Sequence, residues 1–249
     1  MTDPLAEALI AARSGGSKLA LAPGTQLPRD RVLAVQTEVA SRLGPVGAFK
    51  VACPRKAPVV MAPIFAKDIY SSPARLSVAA GEPVGVELEY AFRLIAPLPD
   101  PAQDNFEQRL RAAVELLPVI ELVQSRLADP DKADGSVKML DNQLNGALVL
   151  GPPCRAWQKH HDTTSAIAHL RLGDEVVLDG AADVPNGDAF KTLCIFVRTL
   201  GEHCGGLQIG QVVITGSLNG LPWRMPPFDV DAQIQGLGSI KLSLESVSA

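Results

Sequence analysis

With 249 residues, an apolar share of 47% and a net charge of -4, the chain is long enough to bury one large core and carries no cationic surplus for a phosphate backbone. Aromatic residues make up 4%, which argues against a base-stacking surface, and no run approaches the roughly 18 to 20 apolar residues of a membrane-spanning helix. Cys53, Cys154, Cys194 and Cys204 show no CxxC spacing, and the N-terminus carries acid and proline where a leader would be basic then apolar, so reduced thiols in a cytoplasmic protein are expected.

Residues 3 to 13 predict a short helix capped at Asp3 with Pro4 in its first turn. A second helix is predicted over 29–43, where Val32, Val35, Val39 and Leu43 recur at spacings of three and four before Gly44 and Pro45. Together they suggest a helical lead over 1–45 that packs on a main domain over 46–249. From Val46 the period changes, and strands are expected at 48–53, 59–61 and 64–67. Lys50 interrupts the apolar run from Phe49 to Cys53, either as an edge residue whose stem reaches water or as a cation held in a pocket.

The stretch from Gly85 to Leu94 is the focus of the chain. Strand alternation puts Val86, Leu88, Tyr90, Phe92 and Leu94 on one face and Glu87, Glu89, Ala91 and Arg93 on the other. Two neighbouring carboxylates repel and lose hydration if their face is covered, and the remedy is a cation or a trapped proton; an exposed face is the alternative. An amphipathic helix follows from Asn105 through Leu110, Ala113, Val114 and Leu117, with Pro118 as its stop. Glu121 then sits alone in the branched run Val119 to Val123, where a carboxylate is costly unless paired, protonated or bound to metal. Glu87, Glu89 and Glu121 make an oxygen donor set suited to magnesium, manganese or calcium rather than zinc.

Asp141 to Gly146 reads as a polar turn before a strand over 147–151. His160 and His161 are adjacent, and so point apart and are poorly placed to share one ion. A hairpin is expected over 170–180, a helix capped by Asp188 over 188–200, and strands over 211–220, 230–234 and 237–244, the last two antiparallel. Glycines around Ser217 fit either a close backbone approach to a ligand or a tight turn. Gly236-Leu237-Gly238 lacks the third glycine of a dinucleotide fingerprint, and no P-loop or nucleophile elbow occurs.

Phe49-Lys50-Val51, the Glu87-x-Glu89 strand, Val119-Ile120-Glu121-Leu122-Val123-x-Ser125-Arg126, Asp141-Asn142, Gly216-Ser217-Leu218-x-Gly220-Leu221 and Gly236-Leu237-Gly238-Ser239 occur in that order. From about Phe49 to Leu244 the chain thereby resembles the 2-keto-4-pentenoate hydratase and 4-oxalocrotonate decarboxylase group of the fumarylacetoacetate hydrolase superfamily. The resemblance implies an α+β fold, a mixed β-roll with flanking helices and a small N-terminal helical layer. It implies Mg2+ or Mn2+ on Glu87, Glu89 and Glu121, binding a small 2-oxo or 2-enol carboxylic acid, with no nucleic-acid or membrane partner. Lys50, with a lowered pKa, is expected to pair with the ligand carboxylate or move a proton, and Ser217 and Asn142 to orient the ligand. A homo-oligomer is implied, or a complex with another enzyme of the pathway.

The first reading is a hydratase adding water to a 2-hydroxy-2,4-dienoate in aromatic-compound catabolism. The alternatives are a 4-oxalocrotonate-type decarboxylase, an acylpyruvate hydrolase, and a non-catalytic metal- and oxoacid-binding partner subunit. Two departures stand out. The Pro-Asp-Tyr/Phe-Gly segment of family hydratases is missing from the interval between Lys50 and the Glu-x-Glu strand, and Gln124 replaces an acid common three residues after the third metal ligand. Arg55, Lys56 and Lys67 add positive charge near the altered loop, which either favours a dicarboxylate or is simply solvated.

Overall fold

The computed structural model describes residues 2–248, the side chain of His160 excepted. The first helices are α1 (Pro4–Arg13) and α2 (Arg29–Leu43), as their caps and spacing predict. The Asp3 carboxylate accepts from the Leu5 amide at 2.8 Å, and α2 buries Val32, Val35 and Val39. The chain then runs through β1 (Val46–Ala52), β2 (Val60–Phe65), β3 (Ile69–Ser71), β4 (Ala74–Ala79) and β5 (Val84–Leu94). The runs at 59–61 and 64–67, expected as two strands, are the single strand β2 with Pro63 inside it and a 3-10 turn after it. β2 is an edge strand, where proline is tolerated.

The next correction concerns α3 (Phe106–Ala113), which ends before Val114. Val114, Leu117 and Pro118 belong instead to β6 (Val114–Val123), buried at every position. A strand covered on both faces reads as an unbroken apolar run, which mimics helical spacing. Pro118 is accommodated because its carbonyl accepts from the Gly151 amide at 2.9 Å, so its missing N–H faces the same side, at the end of the neighbouring strand. There follow α4 (Gly135–Leu140), β7 (Asn145–Leu150), α5 (Trp157–His160), β8 (Ala166–Leu172), β9 (Glu175–Ala182), α6 (Ala189–Leu200), β10 (Val212–Ser217), β11 (Trp223–Arg224), β12 (Phe228–Ile234) and β13 (Gly238–Val247). The hairpin β8–β9, the Asp188 cap of α6 and the antiparallel pair β12–β13 match expectation.

Two mixed sheets organise these elements, one in the order β2-β1-β10-β5-β6-β7-β3 with β11 on β5, the other β4-β13-β12-β8-β9. The fold is therefore α+β. The larger sheet curls until its ends approach: a Cβ on Gly47 of β1 would lie 2.7 Å from Ile69 of β3. Inside this roll, beside the carboxylate face of β5, Ala48, Ile64, Ala91, Leu117, Val119, Leu148 and Ile214 form a small dry cluster. The opposite face carries the main core, where Phe92, Trp157 and Phe190 meet at centroid distances of 5.5 to 5.9 Å and the Trp157 indole donates to the Val114 carbonyl at 3.0 Å.

Candidate metal centre

Strand pairing builds the site. Glu87 and Glu89 leave the same face of β5, and Glu121 of β6 is the register partner of Glu87, so it joins them on that face. One oxygen from each lies within 4.8 Å of the others. Glu121 is fully buried and Glu89 nearly so, while Glu87 is partly exposed. Burial raises the Glu87 carboxyl to about 7, with Glu121 adding repulsion, and burial followed by repulsion from Glu87 and Glu121 holds Glu89 well above the usual carboxylate range. A buried oxygen-only set of this kind fits a hard divalent cation, which relieves both the desolvation and the repulsion.

Lys50 reaches the cluster from β1, across β10. Its Nζ donates to both oxygens of Glu121, at 2.7 and 2.8 Å, and to the Gln143 carbonyl at 3.2 Å. Burial pulls this ammonium down, but Glu121, Glu87 and Glu89 together outweigh it and hold it above the ordinary lysine value. The cation reading of Lys50 in a pocket, rather than at a wet edge, is the one the geometry has.

Groups without an obvious sequence signal complete the centre. The Asn145 amide donates to Glu121 Oε1 at 2.9 Å, and the Gly216 amide to Glu89 Oε2 at 2.5 Å. Before Asn145, Asn142, Gln143 and Leu144 have φ of 48°, 53° and 62°, three consecutive left-handed residues at a cost of roughly 1 to 2 kcal/mol each. Arg126 spans the two ends of this turn. Its guanidinium donates to the Asp141 carboxylate at 2.6 Å, the Asp141 carbonyl at 2.8 Å and the Asn145 carbonyl at 2.7 Å. Ser125-Arg126 and Asp141-Asn142 were legible as motifs, but the clamp they form joins segments fifteen residues apart in the chain.

The pocket beside these groups encloses about 430 Å³ and is lined by Lys50, Glu87, Glu89, Lys138, Gln143 and Ser217 with apolar walls from Val51, Val60, Val123, Leu144, Pro185 and Leu221. The Ser217 hydroxyl donates to the Gly220 carbonyl at 2.6 Å and accepts from the Asn219 amide at 3.3 Å, leaving one lone pair for a ligand, while Asn219 ties the turn to β5 by accepting from the Leu88 amide and donating to the Val86 carbonyl. Asn142 is buried beside the lining residues Gln143 and Leu144, and its Nδ2 has no partner among the described residues. Arg55, Lys56 and Lys67 are exposed and do not line the pocket, which favours their solvated reading. His161 lies on the other face of β5, bonded to the Tyr90 hydroxyl at 2.9 Å; the His160 side chain is outside the described residues. No described histidine lines the pocket.

No protein-family model matches the chain. It is 29% identical over 171 residues to 2-keto-4-pentenoate hydratase 1 of Dechloromonas aromatica (strain RCB), a match covering 66% of this chain and 62% of that protein. It is 27% identical over 165 residues to the 2-keto-4-pentenoate hydratase of Paraburkholderia xenovorans (strain LB400), covering 65% and 59%. The matched region is thus about six tenths of the length of these relatives. The 4-oxalocrotonate decarboxylase from Pseudomonas putida G7, complexed with magnesium and adipate, superposes with a TM-score of 0.79 at 17% identity, over 96% of this chain and 95% of that one. The fumarylpyruvate hydrolase from Pseudomonas aeruginosa, in complex with Mn2+ and pyruvate, gives a TM-score of 0.58 at 13% identity, over 80% and 89%. Among the described residues no helix is long and apolar enough to cross a membrane. The chain is thus similar in sequence, over about two thirds of its length, to 2-keto-4-pentenoate hydratases, and it shares its fold with the 4-oxalocrotonate decarboxylase.

Proposed function

We propose that the protein is a divalent-metal-dependent lyase that binds a 2-oxo or 2-enol carboxylic acid and hydrates a 2-hydroxy-2,4-dienoate in the breakdown of aromatic compounds. The observation that carries this reading is the convergence of Glu87, Glu89 and Glu121 within 4.8 Å, with Lys50 against Glu121. Those carboxylates would hold Mg2+ or Mn2+, which when bound supplies Lewis-acid stabilisation of negative charge on the oxygens of the acid. Lys50 presents its ammonium to the ligand carboxylate or carries a proton between the dienol and the carbon skeleton. Ser217 accepts a hydrogen bond from the ligand, and Asn142, beside the lining residues, supports its orientation. Val51, Val123 and Leu144 give the pocket an apolar wall for the ligand's carbon skeleton. The protein is taken to act in the cytoplasm as a homo-oligomer.

Hydration is supported by the hydratase relatives. A second reading, decarboxylation, is favoured by the match over 96% of the chain to a decarboxylase held with a dicarboxylate, adipate. Hydrolysis requires a water-activating base, and the described histidines lie away from the pocket. The test is an ultraviolet progress curve with freshly generated 2-hydroxypenta-2,4-dienoate and its carboxylated homologue, with magnesium, with manganese and with chelator. Metal-dependent loss of dienol absorbance, with the hydrate as product, is the expected result; release of carbon dioxide selects the second reading. A flat trace from protein that binds metal and oxalate contradicts both and leaves a divergent substrate or a non-catalytic subunit.

A further inference from the structure

The inner face of the roll continues past the metal centre to a second mouth. Beyond Glu89 on β5, roughly 13 Å further along the strand, Arg93 leaves the same face opposite its register partner Glu115 of β6. The register pair Ala91 and Leu117, part of the dry cluster, lies between the two ends. A cavity of about 560 Å³ opens at the Arg93 end, lined by Ser71, Ser72, Arg93, Pro152, Ser239 and Lys241 among others, and its size is that of a small-ligand pocket.

Positive charge is in excess at this mouth. Glu115 is buried and accepts from Arg93 Nη1 at 2.8 Å and from Arg155 Nε at 3.2 Å, so one carboxylate answers two guanidiniums. Arg93 makes no other hydrogen bond among the described residues, which leaves the rest of its N–H donors free beside the cavity it lines. Lys241, exposed on β13, has no carboxylate within ion-pair distance among the described residues, and its register partner Asp231 on β12 faces Arg171 at 3.5 Å instead. Ser72 fixes the approach of the two sheets here, its hydroxyl oxygen accepting from the Lys241 amide at 2.8 Å.

These groups come from three directions: Arg93 from β5, Ser71 and Ser72 from the end of β3, and Ser239 and Lys241 from β13 of the other sheet. A guanidinium fork, an ammonium and hydroxyls on three sides suit the tetrahedral oxygens of a phosphate better than a planar carboxylate. We propose that this second mouth is a phosphate site, taking inorganic phosphate or the phosphate group of a small monoester, with Arg93 and Lys241 as its cations and Ser71 and Ser239 as hydroxyl donors. It lies on the far side of the dry cluster from the carboxylates and stands independently of the reaction proposed above.

The test is calorimetric titration of inorganic phosphate and of adenosine 5′-monophosphate into protein stripped of metal by chelator and then desalted, so that no anion binds through a metal ion. Saturable binding is expected in wild type. Equal affinities identify the free ion as the occupant and about tenfold tighter binding of the nucleotide identifies a monoester, either of which supports the site. Lys241→Glu, at an exposed side chain with no hydrogen bond to lose, is expected to weaken binding by about tenfold or more, the weight of one charge-assisted hydrogen bond. Arg93→Lys keeps a charge beside Glu115 but loses the fork, and is expected to weaken binding as well. Lys50→Ala, which alters the metal-centre pocket, is expected to leave phosphate affinity unchanged. No binding of either probe by wild type, full affinity in Lys241→Glu, or loss of affinity in Lys50→Ala overturns the proposal.

Discussion

Glu121 shows how a buried carboxylate is aimed. Lys50 grips both of its oxygens and Asn145 donates to one of them, so that its orientation is set before any ligand arrives. Asn145→Ala is expected to weaken magnesium binding by about 10- to 100-fold, measured by calorimetry, with an unchanged far-ultraviolet circular dichroism spectrum. Unaltered affinity would reduce the amide to a bystander. Lys50→Ala removes positive charge without removing a donor oxygen, so metal binding is expected to persist while oxalate binding or turnover falls; normal turnover in that variant contradicts a role for the ammonium. The three carboxylates were legible because alternation fixes Glu87 and Glu89 on one face and because an acid among branched apolar residues demands a partner. Asn145 and Lys138 were not, since a polar residue next to a turn has the same local pattern whether it faces water or a pocket.

At the scale of elements, the left-handed turn over 142–144 and the Arg126 clamp form one device. Strain in the turn is offset by a buried guanidinium whose bonds reach Asp141 and Asn145, and the turn in return presents the Gln143 carbonyl to Lys50. Arg126→Ala leaves Asp141 buried and unpaired, which is expected to cost about 3 to 5 kcal/mol of unfolding free energy in urea titrations. A loss under 1 kcal/mol, about the net value of one ordinary hydrogen bond, would count against the clamp. The β10 end is equally specified. Gly216 has φ of 110°, and a Cβ there would lie 2.9 Å from Pro185. Gly216→Ala is therefore expected to displace the amide that binds Glu89 and to weaken metal binding, read by the same calorimetry. Helices with caps and strands with alternation could be read in advance. The α3–β6 boundary could not, because Val114, Leu117 and Pro118 satisfy helical spacing and change role only through the strands on either side of them.

The whole molecule adds what no local pattern contains. Lys50 meets Glu121 because β10, from the last quarter of the chain, lies between β1 and β5 and pairs parallel with β1. Only the ordered motifs of the family resemblance anticipated that meeting. Long-range packing also sets the response to acid. His203, in the segment after α6, donates from Nε2 to the Gln36 side-chain oxygen at 2.8 Å, and burial, with Arg29 adding to it, lowers its pKa from 6.5 to about 4. Between those two values the unfolded chain binds a proton on this imidazole that the folded chain does not, so its contribution is present above pH 6.5 and lost as pH falls toward 4. The unfolding free energy is expected to decline less over that window in His203→Gln than in wild type, a difference that isolates this group from the raised carboxyls of Glu87 and Glu89, whose effect has the opposite sign. Parallel pH profiles would remove His203 from the account.

The central claim is that the β5 and β6 carboxylates hold a divalent cation, and it is tested most directly by calorimetric titration of Mg2+ and Mn2+ into wild type, Glu87→Ala and Glu89→Ala. Saturable binding by wild type with one ion per chain, abolished in both variants, is the predicted result. Unchanged affinity in both variants would contradict it and take the metal out of the mechanism.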